Sequence, residues 1–184
     1  MLLYIGLVHY PVYNKNYDTI ASAVTTLDIH DISRIARTYS AKAFFVITPL
    51  WDQKDLVGKI KAHWTEGYGA LYNPDRKEAI ELVWVVDSLE QAKEEIEKAE
   101  GELPVCIATD ASESVGNIIK FDNARDIVKQ NKPVLIFFGT AWGLHKHVLK
   151  EADYVLEPIY GRSGYNHLSV RAAAAIILDR LVAR

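Results

Sequence analysis

Six short apolar runs punctuate this chain: Leu2–Val8, Ala43–Thr48, Leu82–Val86, Pro104–Ala108, Val134–Phe138 and Tyr154–Leu156. None alternates apolar with polar positions. Continuous runs of this length predict strands covered on both faces, as in a parallel sheet. Between them the pattern takes the period of a helix. Asp28 caps the first helix, with Asp31 three residues on and Ile29, Ile32, Ile35 and Ala36 along one face. Asp52 caps a second that runs to Trp64 and ends at Gly67. Ser88 and Gln91 form a capping-box pair, opening a third that runs to Glu100 and stops at Gly101. Its glutamates and lysines, Glu94 and Lys98 among them, read as a solvated face without function. Asp122 caps a fourth, to Gln130, and a last, alanine-rich helix runs from about Leu168 to Val182.

Strands alternating with helices predict an α/β fold with a mostly parallel, doubly wound sheet and helices on both faces. No linker, repeat or low-complexity segment divides it, so residues 1–184 read as one domain.

Composition narrows the class. The chain is 49% hydrophobic and 24% charged, which excludes a disordered or membrane-like protein. No apolar run nears the ~18 residues of a membrane span. The first run lacks a basic leader and reads as a strand, so a cytoplasmic protein is expected. One cysteine, Cys106, excludes an internal disulfide and any multi-cysteine metal site. It lies within an apolar run and reads as a small buried hydrophobe. Net charge is −3, with 11 basic against 15 acidic residues in 1–100 and 10 against 9 in 101–184. Contact with RNA therefore needs a local patch, drawn for instance from Arg34, Arg37, Arg162 and Arg171.

Open parallel sheets bind ligands at the carboxyl ends of their strands. Three such ends carry turn and polar residues: Thr109-Asp110-Ala111-Ser112, Gly139-Thr140-Ala141-Trp142-Gly143-Leu144, and the long connection Pro158–His167 with Gly161 and Gly164. Each taken singly also reads as a turn or a helix cap. Their convergence on successive strand ends points to a site. No GxGxxG fingerprint, phosphate loop, GxSxG elbow or HExxH motif occurs. His145 and His147 are two apart, on different faces of a helix, and do not make a metal pair.

The run Val134–Leu144, the stretch Tyr165-Asn166-His167-Leu168-Ser169-Val170-Arg171-Ala172 leading into the alanine helix, and Leu156–Gly161 between them resemble the C-terminal motifs of SPOUT-class RNA methyltransferases. Leu27–Thr38 resembles the first motif of that class, with an arginine, Arg34, on the first helix. With His63-Trp64 and Tyr72–Arg76, the likeness spans nearly the whole chain.

The resemblance implies a trefoil knot near the C-terminus, a homodimer, and S-adenosylmethionine (SAM) held bent by three loops. Cofactor binding would then fall to Thr109, Gly139, Thr140, Trp142, Gly143, Leu144, Ile159, Gly161 and Leu168. Arg34, reaching across the dimer, would contact the acceptor or a phosphate, a task its planar fork suits. Its plainer reading is an ion pair with Asp31. Asn166, His167 and Ser169 would orient the acceptor or take its proton, an unperturbed histidine titrating near 6.5. Capping of the last helix is the alternative for His167 and Ser169. No metal is implied.

Two departures stand out. The glycine loop lacks the glutamate common in the class, and His167 with Asn166 replaces the usual asparagine spacing. The function expected is SAM-dependent methylation of RNA, of transfer or ribosomal type, with a partner protein available to hold the RNA. A catalytically silent SAM- or nucleotide-binding dimeric scaffold is the alternative that the missing glutamate favours. A Rossmann-like hydrolase or reductase is disfavoured by the missing phosphate motifs.

Overall fold

All six apolar runs are strands, and they lie in one sheet. The computed structural model describes residues 1–112 and 116–183. Its N-terminal part runs β1 (Leu2–Val8), β2 (Val12–Tyr13), β3 (Thr19–Ile20), α1 (Thr26–Thr38) and β4 (Ala43–Ile47). Then follow α2 (Trp51–Thr65), α3 (Tyr68–Tyr72), α4 (Pro74–Glu81), β5 (Val83–Val86) and α5 (Leu89–Glu100). The C-terminal part is β6 (Val105–Thr109), β7 (Ile118–Ile119), α6 (Phe121–Lys129), β8 (Pro133–Gly139), α7 (Lys146–Glu151), β9 (Tyr154–Leu156) and α8 (Val170–Val182).

The main sheet has the order β5-β4-β1-β8-β6-β9-β7, and every pairing in it is parallel. Strands β2 and β3 form a separate antiparallel hairpin. Alternate residues of β1 enter opposite layers. Leu3, Ile5 and Leu7 pack with Ile29 and Ile32 of α1, Val57 of α2, Ala124 of α6 and Leu178 of α8. Tyr4 and Val8 face Leu89 and Ile96 of α5 and Val148 of α7. Two-sided burial is why these strands lack alternation. No helix among the described residues is long and apolar enough to cross a membrane.

Helix starts differ from the sequence reading in four places. Thr25, not Asp28, caps α1: its hydroxyl accepts from the Asp28 amide at 3.1 Å and donates to the Asp28 carboxylate at 2.6 Å. Asp28 sits in the first turn, where negative charge suits the helix dipole. Asp52 likewise lies in the first turn of α2, whose cap position, Leu50, offers no side-chain bond. Asp122 does not cap α6, which begins at Phe121; the Phe121 amide is taken at 2.6 Å by the carboxylate of Glu157, from a distant loop. Ser88 does cap α5, accepting from the Gln91 amide at 3.2 Å, and Gly101 ends that helix at φ +82°. Helix α8 starts at Val170, two residues later than expected, with Ser169 as its cap. The hairpin, β7, α3 and α4 are too short for periodicity to reveal.

Candidate cofactor and substrate cleft

A cavity of about 1120 Å³ opens at the carboxyl ends of β6, β8 and β9. Three of its walls are the loops after those strands: 109–112, 139–144 and 157–169. A fourth wall comes from the N-terminal part, through Tyr13, Tyr17, Ser22, Thr25 and Asp28.

The glycine loop turns back on itself at once. A Cβ on Gly139 would lie 2.7 Å from the Leu144 amide nitrogen and 2.9 Å from Leu144 Cγ, so only glycine allows so tight a return. Within the turn, Ala141 and Gly143 take left-handed conformations at φ +52° and +102°. The hairpin segment braces it from outside. The Trp142 amide donates to the Tyr13 carbonyl at 2.9 Å, and the Tyr13 amide donates to the Gly143 carbonyl at 3.0 Å.

A polar relay braces it from below. Thr140 Oγ1 donates to the Val8 carbonyl at 2.9 Å and meets Ser22 Oγ at 2.5 Å; Ser22 Oγ meets His9 Nδ1 at 3.0 Å. Since Thr140 spends its proton on Val8, Ser22 donates to Thr140 and His9 donates from Nδ1 to Ser22. His9 is fully buried, and its Nε2 has no partner. Burial lowers its pKa to about 4, against a weaker opposite pull from Asp28, so the imidazole is neutral.

The cavity interior is apolar with acidic points. Leu144 and Leu156 are buried in its lining, beside Ile159. Asp28, Asp110 and Glu157 also line it. Burial raises the pKa of the Asp110 carboxyl, partly offset by amide donors from Ser112 and Ala111. Such a lining suits an aromatic ligand that also carries positive charge.

The structure brings most of the residues singled out in the sequence to this one cavity. Thr109, Gly139, Thr140, Trp142, Gly143, Leu144, Ile159 and Leu168 all line it, as do Asn166, His167 and Ser169. Several have definite local tasks. Thr109 Oγ1 donates to the Phe137 carbonyl at 3.2 Å, and the Asn166 amide donates to the Ala111 carbonyl at 2.9 Å, tying the third loop to the first. His167 packs edge-on against Tyr165, with ring centres 5.3 Å apart. The Trp142 side chain is 64% exposed, so it sits at the mouth and not in the interior.

Two residues are placed elsewhere. Gly161 is not in the lining, although Ile159 before it and Asn166 after it are. Arg34 lies on the far side of α1, in a separate cavity of about 150 Å³ with Asn73, Asp75 and Arg76. It does not pair with Asp31; Arg171 of α8 does, at 3.6 Å, and reaches Asp28 at the same distance. Arg37 is bound to Glu78, so two of the four arginines considered for an RNA patch are already committed to acids. Outside the cleft, Cys106 is buried with its thiol pushed up to about 11, and His145 caps α7, accepting from the His147 amide at 3.2 Å. Among the described residues no cluster of three metal-ligating side chains occurs.

The fourth wall is absent from the sequence reading. The one signal for it was His9-Tyr10-Pro11, polar and turn-forming residues that follow the first strand directly.

Residues 2–183 match the model of a family described as SAM-dependent RNA methyltransferase. The chain is 46% identical over 180 residues to a tRNA (guanine-N(1)-)-methyltransferase of Oleidesulfovibrio alaskensis, the match covering 98% of this chain and 42% of that protein. It is 39% identical over 183 residues to an uncharacterized protein of Aquifex aeolicus, covering 99% of this chain and 89% of that one. The chain thus spans less than half the length of the tRNA methyltransferases that it matches. Among solved structures, it resembles the SpoU methyltransferase AviRb of Streptomyces viridochromogenes with a TM-score of 0.57 at 21% identity, covering 98% of this chain and 58% of that one. A probable methylase family protein from Haemophilus influenzae gives 0.61 at 17% identity, covering 97% and 64%. At these identities the likeness is one of fold.

Proposed function

The chain belongs to the family of SAM-dependent RNA methyltransferases and has the SPOUT-class fold of its SpoU neighbours, and from that premise we propose that the cleft at β6, β8 and β9 holds SAM beside a tRNA nucleotide. The observation that carries the proposal is the convergence of three strand-end loops on one cavity with an apolar bed and acidic points. The lining fits the cofactor. Leu144, Leu156 and Ile159 offer an apolar seat for adenine. Asp28, Asp110 and Glu157 complement a ligand whose sulfonium and ammonium outweigh its single carboxylate.

Bound SAM supplies a methyl group already activated by positively charged sulfur. The chain's own share is to hold, orient and accept a proton. Asn166 fixes the third loop to the first, and Ser169 fixes the start of α8. His167, at the mouth, takes the proton that the acceptor loses. Arg34 faces away from its own cleft, and in this reading it serves the cleft of a second copy, in a homodimer. The guanine-N1 activity of the longer relatives is named for proteins more than twice this length, so we carry over the substrate class and not the acceptor atom. The same reading takes residues 1–184 as one domain with the C-terminal knot of the class, acting in the cytoplasm, with a protein partner to help hold RNA.

The test is transfer of labelled methyl from SAM into a tRNA pool, with SAM affinity measured alongside by calorimetry. Arg34→Ala is expected to slow transfer at least about tenfold, the weight of one lost charge-assisted contact. Absence of SAM binding at millimolar ligand overturns the reading.

A further inference from the structure

We propose that the rim of the cleft is a stacking platform for unpaired RNA, gripping the bases that flank the target nucleotide. This rests on the RNA methyltransferase reading and names the form of RNA that the site accepts. Two of the cavity's walls each raise an aromatic ring, Tyr17 from the hairpin and Trp142 from the glycine loop; Tyr165 of the third loop stands next to the lining, edge-on against the lining residue His167 with ring centres 5.3 Å apart. Tyr17, Trp142 and Tyr165 are 74%, 64% and 70% exposed. Exposed rings also stand elsewhere on the surface, Trp51, Tyr68 and Tyr72 among them, but those at the cleft come from three separate segments of the chain that border one cavity.

The ring of Tyr17 is held outward against a backbone preference. Its φ is +63°, a left-handed value that is an outlier for a bulky residue. A tight turn imposes it. The Tyr17 amide donates to the Asn14 carbonyl at 3.0 Å; the Asn14 side chain accepts from the Asn16 and Asp18 amides at 2.8 and 3.0 Å and donates to the Asp18 carboxylate at 3.0 Å. Strain that the surroundings over-determine at a loop tip marks a functional position. Trp142 follows Ala141, which is strained in the same sense at φ +52°.

Charge zoning points to nucleic acid as the occupant. The acids Asp28, Asp110 and Glu157 lie inside the cavity, while Lys146 lines its edge and is exposed. A phosphate is repelled from the interior and tolerated at the rim, whereas a nucleobase edge, rich in N–H donors, is admitted. The cavity also exceeds the roughly 300–1,000 Å³ that suffices for one small molecule, leaving room for a nucleoside beside the cofactor. Rings can stack only on bases whose faces are free, and a duplex hides those faces; single-stranded loops expose them.

The experiment compares binding of a fluorescein-labelled, unstructured RNA 12-mer with that of the corresponding blunt duplex, by anisotropy on the full chain. Wild type is expected to prefer the single strand. Tyr17→Ala and Tyr165→Ala should each weaken single-strand binding about tenfold, with Tyr17→Phe restoring it and with SAM affinity unchanged by calorimetry in Tyr165→Ala, whose ring lies outside the cavity lining. Equal binding of duplex and single strand overturns the proposal, and so does wild-type RNA affinity in both alanine variants. A change of molar mass in those variants by light scattering, with RNA binding intact, assigns the rim to a second copy of the chain and equally overturns it. Ring-dependent RNA binding without SAM binding supports the rim proposal while sinking the cofactor reading, so the two failures are distinguishable.

Discussion

The two halves of the sheet end differently at the same edge. On the β4–β5 side, backbone pairing continues past the strands: the His9 amide donates to the Ile47 carbonyl at 2.9 Å, and the Thr48 amide donates to the Val86 carbonyl at 3.0 Å. His9 and Thr48 are fully buried there, and the edge is sealed. On the β6–β8–β9 side, the residues after the strands turn away from one another and leave the cavity between them. Strands of similar apolar sequence thus lead either to a closed edge or to a site. What decides is the two or three residues that follow each strand, because only those either extend the ladder or break it.

Two glycines test the contrast most directly, one in the central strand that both sides share and one on the open side. Gly6 lies within β1, where an added Cβ would sit 3.0 Å from Phe137 Cβ and 3.3 Å from Ile47 Cδ1. Gly139 ends β8 against the backbone of Leu144. Gly139→Ala is expected to cost about a hundredfold in SAM affinity, roughly 2.7 kcal/mol, because the loop must reopen. Gly6→Ala is expected to cost about 1–3 kcal/mol of stability through overpacking, read as a lower urea midpoint, with the folded protein still binding SAM normally. If both variants lose SAM alike, the division between sealed and open edges is wrong.

His9 joins the two halves, and its titration sharpens the contrast. The imidazole titrates near 6.5 in an unfolded chain and near 4 here. Between those values the unfolded chain binds more protons, so acid favours unfolding. Stability from this group is complete above pH 6.5 and is lost as pH falls toward 4, by about 3 kcal/mol. Urea unfolding at pH 7.5 and pH 4.5 is expected to show that loss in wild type and a smaller one in His9→Gln. Equal pH dependence in both proteins would show that His9 is not the group responsible.

The sealed and open sides also differ in how far they were legible. The six strands that the apolar runs marked were readable to within a residue because burial on both faces leaves a local mark, whereas β2, β3 and β7 left none. Ser88 was readable as a cap because its partner is Gln91, three residues on. Asp28, Asp52 and Asp122 were misread because a first-turn acid and a cap look alike in sequence, and because Glu157 serves α6 from 36 residues away. At the site, three loops announced themselves by glycines and polar residues at strand ends. The fourth wall did not, since Ser22 gains its meaning from His9 and from Thr140, the latter 118 residues away. Arg34 was chosen from the likeness of a motif, and nothing local could show that it faces away from its own cleft.

The smallest effect separates stability from site. Thr25 caps α1 and Ser88 caps α5, each accepting an amide three residues on, at 3.1 and 3.2 Å. Replacing either by alanine is expected to cost about 1 kcal/mol. Their surroundings differ. Thr25 also holds the Asp28 carboxylate at 2.6 Å, and both residues line the cavity, whereas Ser88 lies outside its lining. Thr25→Ala frees Asp28 to turn toward Arg171, already 3.6 Å away, and so alters the acidic lining. The expected outcome is equal loss of urea stability in the two variants, but weaker RNA binding or methyl transfer in Thr25→Ala alone. An equal effect on both readouts would mean that the α1 cap serves the fold only, and that the fourth wall of the cleft is passive.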